Sequence, residues 1–274
     1  MASHPSPSAA RRPGSEPARM GQGFDEKKLR ARAIAGVRAE VEAFGSAAPG
    51  SRLIRRQGLL AAVTPATPRR SLFNSVFYDD PTAPAREYEA LSEAYDEAGV
   101  RAWTVWVPDE DRETAGVLAG RGHRMDAAPR AMAMELTGPA QPLAAPAGIE
   151  LGRCDSATAA ELNDRAYGYD ENGFRAGLSG ETAIHWHGAY SNGEPVCCVG
   201  TIAIDDDCCV TGVATPPEHR GRGIASWLMM RALGAARGEG AVTASLQASK
   251  AGAPIYERLG FADFGYVEMW ELRR

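Results

Sequence analysis

The sequence predicts an α+β protein, and three observations in its second half support this fold class. Two runs rich in β-branched and small residues, 196–204 and 208–215, flank the acidic triplet 205–207, as expected of an antiparallel hairpin. The dipeptide Asn192-Gly193 just before them favours a second hairpin turn. Apolar residues at helical spacing follow from Ile224 onwards. Strands and helices are therefore mixed within one segment.

The junction VATPPEHRGRGIASWL, residues 213–228, connects a predicted strand to a predicted helix through a glycine turn. The first amides of a helix have no partner inside the helix and carry the positive end of its dipole, so they favour an anion. Gly221 and Gly223 permit unusual dihedral angles and a close ligand approach. Arg220 and Arg222 add charge that pairs well with phosphate. The junction therefore predicts a site for a phosphate or a diphosphate.

Two other phosphate-binding motifs fit the junction less well. A Walker loop requires Lys and then Ser or Thr after its last glycine, whereas Ile224 and Ala225 follow Gly223. The dinucleotide fingerprint is incomplete, because Ser226 stands at its third glycine position and no βαβ unit with a well-placed acidic residue follows. An isolated RGRG fits an exposed, glycine-capped turn equally well. The flanking sequence must therefore decide.

The stretch Arg220 to Ala225 matches the R/Q-x-x-G-x-G/A motif, and from about Glu150 to its end the chain resembles the GNAT superfamily of coenzyme A-dependent N-acyltransferases. Two further blocks carry this resemblance in the expected order. The stretch 241–261, AVTASLQASKAGAPIYERLGF, resembles the family's next strand and its Y-E-R-L-G-F helix, and 192–215 resembles the hairpin before the motif. The resemblance implies a central mixed, mostly antiparallel sheet with helices on both faces.

The resemblance also implies a binding cleft for acetyl-CoA as cosubstrate. The strand before the motif offers backbone groups to the pantetheine arm, the amides of the turn hold the diphosphate, and two hydroxyls add contacts. The cofactor-binding residues so implied are Val213, Thr215, Arg220, Gly221, Arg222, Gly223, Ile224, Ala225, Ser226 and Ser249. Tyr256 matches the tyrosine near the leaving sulfur and is the candidate general acid. A tyrosine at helical spacing from Leu259 is also consistent with simple packing, so both interpretations stay open.

No general base is evident in the sequence. The strand 208–215 carries no carboxylate, whereas some members of the family place a Glu there, so deprotonation must use water or another group. We expect Glu218 and His219 to be solvated loop residues. His185 and His187 would share one face of a strand, in a substrate groove or at a sheet edge. Since no third ligand stands at a recognisable spacing, we expect no metal.

Composition bounds the function. The 274 residues carry a net charge of -5 with a pI of about 5.6, which argues against general nucleic-acid binding. No apolar run is long enough to span a membrane, so we expect a soluble, cytoplasmic protein. The expected partners are acetyl-CoA and a small-molecule amine acceptor, with no nucleic acid and no membrane; a homodimer is left open.

The first half repeats the second in outline. The segment 105–136 has the same order of strand, helix, glycine turn and apolar strand as 246–272, and aligning Gly122 with Gly260 gives an offset of 138 residues. We therefore predict two GNAT-like units in tandem. At this offset Leu118 falls opposite Tyr256, and the acidic, proline-bearing DDPTAP, 79–84, replaces the glycine turn. Carboxylates repel a diphosphate and proline lacks an N–H, so the first unit should bind no cofactor.

These observations predict a domain organisation and a function. The predicted parts are a disordered leader (1–23), a degenerate GNAT-like domain without a cofactor site (24–137), a linker (138–148) and a catalytic GNAT domain (149–274). The leading hypothesis is an acetyl-CoA-dependent N-acetyltransferase that acts on a small amine. The alternative is a non-catalytic sensor that binds CoA or acyl-CoA. The intact motif at 220–225 argues against a third hypothesis, an interaction module without CoA binding.

Overall fold

The computed structural model describes residues 25–137, 143–169 and 173–274. The predicted leader and the first part of the predicted linker lie outside the described residues. The helices of the described part are α1 (Glu26–Phe44), α2 (Ala83–Glu97), α3 (Arg112–Gly120), α4 (Ser156–Tyr167), α5 (Gly173–Gly177), α6 (Ile224–Gly238) and α7 (Ala253–Leu259). None of these helices has the length and apolarity needed to cross a membrane.

The strands of the described part form one continuous mixed sheet. They are β1 (Arg52–Arg56), β2 (Leu59–Val63), β3 (Ser75–Tyr78), β4 (Ala102–Pro108), β5 (Arg124–Ala127), β6 (Arg130–Glu135), β7 (Glu150–Arg153), β8 (His185–Ser191), β9 (Glu194–Ile204), β10 (Asp207–Ala214), β11 (Thr243–Ala248) and β12 (Ala262–Arg273). Their order is β1-β2-β3-β4-β12-β6-β11-β10-β9-β8-β7, with β5 beside β12. Among the described strands only β3–β4 and β10–β11 pair in parallel. The predicted α+β class with a mostly antiparallel sheet is confirmed.

Two tight turns build the hairpins that lead to the junction. Asn192 and Gly193 join β8 to β9 with φ angles of 51° and 83°, as the favoured turn requires. The second turn is shorter than the predicted triplet, because Asp207 already pairs with Ile204. Asp207 is buried within the sheet because its carboxylate accepts hydrogen bonds from the hydroxyls of Thr243 (2.5 Å) and Ser245 (2.6 Å) on β11.

The two halves of the chain repeat the same order of elements. The series β2, β3, α2, β4, α3 and then β5 with β6 in the first half corresponds to β9, β10, α6, β11, α7 and β12 in the second. The offset of 138 residues places 124–135, which is β5 together with β6, on 262–273, the bounds of β12. Each half therefore ends in the same long, two-part strand.

The two-part strands are exchanged between the halves. Strand β6 pairs with β11 of the second half along its whole length, and β12 lies on its other side. The later part of β12, from Val267 onwards, pairs with β4 of the first half, and β5 lies on its other side. Each half therefore completes the sheet of the other. The predicted boundary at 138–148 separates two segments of the chain but not two sheets.

Helix α1 also connects the halves. It packs on β2 and β3 of the first half and on β10 and β11 of the second. Gly36 permits the close approach, since a Cβ there would lie 3.1 Å from Cys209 Sγ and 3.2 Å from Ser245 Oγ. Asp25 caps the start of the helix by accepting a hydrogen bond from the amide of Lys27 (3.1 Å). A helix of the first half thus covers one face of the second half.

We predict that the halves unfold together and that the Met132→Ala variant destabilises both. Met132 on β6 is fully buried among core residues of the second half, so its truncation should lower the free energy of unfolding by about 2–5 kcal/mol. Urea denaturation, followed by fluorescence and circular dichroism, should show one shared transition at lower urea. Met125→Ala on β5, with its side chain 52% exposed, is the control and should change stability by less than about 0.5 kcal/mol. Two separate transitions, only one of which shifts, would contradict the interlocked sheet.

Candidate active site

The site begins where β10 loses its parallel partner. The β10–β11 register runs from Asp207 to Val210 and goes no further among the described residues. Pairing with β9 is irregular between Thr211 and Ala214, which marks a bulge. Gly212 is required in this bulge: its φ is +57°, and a Cβ there would lie 2.5 Å from Cη2 of Trp186. Strands β10 and β11 therefore separate after Val210 and leave an opening between them.

A cavity of about 790 Å³ occupies this opening. All eleven residues singled out in the sequence line it, namely Val213, Thr215, Arg220, Gly221, Arg222, Gly223, Ile224, Ala225, Ser226, Ser249 and Tyr256. They come from the end of β10, the start of α6, the loop after β11 and helix α7. The fold thus brings the three blocks of sequence to one place. The roles of these residues remain predictions.

The start of α6 presents a row of amides without partners. Gly221 and Gly223 have φ angles of +76° and +74°, and a Cβ at either would meet nothing within 4 Å. Glycine is therefore needed here for backbone conformation and not for space. Gly223 is the N-cap and provides no side-chain acceptor. Among the described residues, no backbone acceptor bonds to the amides of 221–226. This row of donors and the helix dipole together favour an anion.

The two arginines of the motif differ in their contacts. The guanidinium of Arg220 donates hydrogen bonds to the carbonyls of Thr215 (2.9 Å) and Ala166 (2.6 Å), so it ties the end of β10 to α4. Arg222 contacts only the carbonyl of Ala147, at 3.4 Å, within the described part of the chain. The sequence predicted phosphate pairing for both side chains, whereas the geometry favours Arg222 for that role.

Tyr256 lies on the α7 wall of the cavity. Its ring packs edge-on against Phe261, with 6.0 Å between the ring centroids. Burial, and to a lesser extent the neighbouring Tyr167 and Cys197, raise the pKa of Tyr256 well above its ordinary value. The phenol is therefore protonated at neutral pH, as an unperturbed tyrosine also is. The ring packs and the residue also lines the cavity, so both sequence interpretations stay open.

Tyr167 and His219 also line the cavity, and the sequence assigned no role to either. The Tyr167 hydroxyl donates a hydrogen bond to the carbonyl of Val213 (3.1 Å), although the residue is half exposed. His219 was expected in solvent, yet it is half-buried, and its Nδ1 atom has no hydrogen-bond partner within the described residues. Glu218 is exposed, as expected, and pairs with Arg165 at 2.6 Å. No local sequence signal marks Tyr167, because its contact depends on how α4 packs on β10.

The corresponding region of the first half has different chemistry. Strands β3 and β4 pair in parallel only at Ser75–Thr104 and Val76–Val105. Beyond these pairs, the Tyr78 hydroxyl at the end of β3 donates a hydrogen bond to Asp111 (2.6 Å), the residue that caps the start of α3. At the start of α2, Asp80 accepts hydrogen bonds from the Thr82 amide (2.9 Å) and hydroxyl (2.7 Å). A carboxylate of the chain itself thus lies beside this helix start. This geometry supports the prediction that the first half binds no diphosphate.

The histidine pair lies apart from these residues. His185 and His187 share one face of β8, with 4.7 Å between ring centroids, and line a second, open cavity of about 810 Å³. Nε2 of His187 lies 3.2 Å from the Thr201 hydroxyl, and burial lowers the pKa of His187 to about 4. Within the described residues no group of three or more His, Cys, Asp or Glu side chains is placed to hold a metal ion.

Comparisons with known proteins agree with this architecture. Residues 182–263 match the acetyltransferase (GNAT) domain family. An uncharacterised N-acetyltransferase of Streptomyces griseus is 39% identical over 72 residues, which are 26% of this chain and 16% of that protein. A GCN5-related N-acetyltransferase from Kribbella flavida has a similar structure (TM-score 0.61, 20% identity, 88% of this chain and 95% of that chain). So does a tandem GNAT protein from the clavulanic acid biosynthesis pathway (TM-score 0.55, 13% identity, 91% and 96%).

Within the second half of the chain, residues 182–263 therefore match a GNAT acetyltransferase domain. The site just described, from β10 to α7, lies within the matched residues. The structural neighbours cover both halves and so support the fold of the whole chain. The match to the curated relative covers only about a sixth of that protein, so the activity of this chain has to be argued from its own site.

We predict different effects for the two arginines of the turn. Arg220→Gln should lower the free energy of unfolding by about 1–3 kcal/mol, because two carbonyls lose charge-assisted hydrogen bonds. Arg222→Gln is the matched control and should change stability by less than about 0.5 kcal/mol, since its one contact is long. Thermal and urea unfolding measure both changes. Equal losses of unfolding free energy in the two variants would mean that the hydrogen bonds of Arg220 do not stabilise the contact between β10 and α4.

Proposed function

We propose that the protein is an acetyl-CoA-dependent N-acetyltransferase that acts on a small-molecule amine. The observation that carries the proposal is the opening between β10 and β11, which leads to unpartnered amides at the start of α6 and is bordered by Tyr256. This arrangement combines a diphosphate site with a proton donor in one cavity.

Each part of acetyl-CoA has a matching surface in the proposal. The diphosphate bonds to the amides of 221–226, with Arg222 nearby to contribute charge. The pantetheine arm follows the edge that β11 leaves after Val210, along Val213 and Thr215, much as an added strand would. Ser249 and Ser226 supply hydroxyl groups at the two sides of the cavity. The thioester then lies toward the apex of the opening, near the bulge.

The proposed chemistry transfers the acetyl group directly to the amine. The neutral amine nitrogen attacks the thioester carbonyl, and the sulfur leaves as a thiolate that takes a proton. Tyr256, which lines the cavity and is protonated at neutral pH, supplies this proton. A protein that bound acetyl-CoA without this transfer would be a sensor, and the two functions differ in one measurable product, free CoA thiol.

A screen of the purified protein with acetyl-CoA and a panel of small amines tests the proposal. Amine-dependent release of free thiol, together with the acetylated amine in mass spectrometry, is the expected result. Saturable binding of CoA in calorimetry without thiol release for any amine would favour the sensor. No binding at saturating CoA would reject both functions.

We predict that Gly223→Val abolishes or severely weakens CoA binding while the protein stays folded. The φ of +74° is strained for valine, so the turn must rearrange and the row of amides is lost. A loss of at least about 100-fold in affinity is expected, comparable to removal of several charge-assisted hydrogen bonds. Gly234→Ala, on the open surface of α6, is the control and should bind as the wild type does. Unchanged affinity of Gly223→Val in calorimetry would refute the site.

We predict that Tyr256→Phe reduces turnover and leaves CoA affinity nearly unchanged. Loss of a general acid lowers kcat by roughly 10²–10⁴-fold, whereas the ring keeps its packing against Phe261. Tyr266→Phe, at a tyrosine that is 42% exposed and does not line the cavity, controls for a nonspecific effect. Steady-state thiol release and calorimetry give the two values. Equal kcat for Tyr256→Phe and the wild type would assign proton donation to another group.

A further inference from the structure

The wall of the cavity contains a second tyrosine, Tyr167, for which the proposed chemistry has no use. It is the last residue of α4 and lines the same cavity as Tyr256 of α7. We propose that Tyr167 is a binding residue for the pantetheine arm of acetyl-CoA, and that its phenolic oxygen accepts a hydrogen bond from an amide N–H of the arm. This inference rests on the proposed binding of acetyl-CoA and adds a residue of α4 to that site.

The bulge of β10 leaves two carbonyls to be bonded from outside the sheet. In the register of β10 with β9, Thr211 and Ala214 have partners, whereas Gly212 and Val213 between them have none. Buried backbone carbonyls need a donor, and here α4 supplies it. Nδ2 of Asn163 donates to the carbonyl of Gly212 (3.4 Å), and the hydroxyl of Tyr167 donates to that of Val213 (3.1 Å).

The two donors belong to one face of α4. Asn163 and Tyr167 are four residues apart, so they lie one above the other on the helix surface. Asn163 is fully buried, and Tyr167 is 51% exposed. The polar face of α4 thus starts in the core beneath the bulge and ends at the cavity, where the Tyr167 ring is open to a ligand.

The end of α4 is held in place beside β10. The guanidinium of Arg220 bonds to the carbonyls of Ala166 and Thr215, so it joins the residue before Tyr167 to the last part of the splayed segment. Gly168 ends the helix directly after Tyr167 in the left-handed conformation, with a φ of +64°. The Tyr167 ring is therefore positioned by the fold before any ligand arrives.

The phenolic oxygen of Tyr167 keeps its capacity as an acceptor. A tyrosine hydroxyl has one proton to donate and also accepts hydrogen bonds. The proton is engaged by the Val213 carbonyl, and within the described residues no group donates to the oxygen. A hydroxyl that donates to a carbonyl is polarised by that bond and accepts more strongly. The ligand group that this oxygen suits is therefore an N–H donor.

The pantetheine arm brings such donors to this point, because it contains two amides. In the proposed binding mode the arm runs past Val213, on the edge that β11 leaves after Val210. The diphosphate lies at the start of α6, where the amides of 221–226 serve it. Tyr167 therefore contributes to the affinity for the arm and not to the affinity for the diphosphate.

This division between the two parts of the ligand makes the contact testable by calorimetry with CoA and with ADP, which carries a diphosphate but no arm. Tyr167→Phe should bind CoA about 3- to 10-fold more weakly, as expected for one hydrogen bond, and should bind ADP as the wild type does. Tyr169→Phe is the matched control, because its ring stacks on Tyr167 (5.8 Å between centroids) but does not line the cavity. It should bind both ligands with wild-type affinity.

Steady-state kinetics with the best amine of the panel give a second measurement. A contact made equally in the ground state and the transition state changes KM and leaves kcat alone. Tyr167→Phe should therefore raise the KM for acetyl-CoA by the same factor at nearly constant kcat, which is the opposite of the effect expected for Tyr256→Phe. A fall in kcat at constant KM would contradict the role in binding.

The calorimetric outcomes separate this contact from other roles of Tyr167. Unchanged CoA affinity in Tyr167→Phe would overturn the proposal, and so would tighter binding, which would mean that the hydroxyl occupies the place of the arm. Equal losses for CoA and ADP would also overturn it, because Tyr167 would then support the glycine turn. Unchanged ADP affinity shows that the variant is folded. A wild type that binds neither CoA nor ADP would instead overturn the proposed function.

Discussion

The divergence of β10 from β11 after Val210 is the constraint on which the site depends. Four paired residues hold β10 and β11 together, and the bulge around Gly212 then turns β10 away. Glycine is needed in this bulge because Trp186 leaves no room for a side chain there. The gap exposes strand backbone, and the glycine turn that follows exposes the amides of α6 at its end. The strand edge and the amides at the start of α6 face the same cavity, which is why we propose a ligand with amides and a diphosphate.

The exchange of β6 and β12 explains why the first half, which has no glycine turn of its own, is still required to complete the sheet of the second half. Each exchanged strand is buried in the other half, so neither half has a complete sheet without its counterpart. Helix α1 lies across this junction and packs on strands of both halves. The first half thus contributes core packing to the second.

Features that depend on neighbouring residues could be predicted from the sequence. The turn at Asn192-Gly193, the start of α6 at Ile224 and the glycine conformations at Gly221 and Gly223 follow from local dihedral preferences, and all of them occur in the structure. The eleven residues predicted for the site lie together because short elements in a known order place them there. The acidic replacement of the glycine turn in the first half likewise predicted Asp80 beside the start of α2.

Features that depend on contacts between distant segments could not be predicted. The offset of 138 residues indicated a repeat, but whether each last strand stays in its own half or crosses to the other depends on packing energies summed over both sheets. Arg220 ties the end of β10 to α4 through tertiary contacts that no local pattern encodes. The sequence by itself determined the fold class, the turn and the residues around it. Only the tertiary structure decided which half supplies each group, because burial and close approach arise from the assembled sheet.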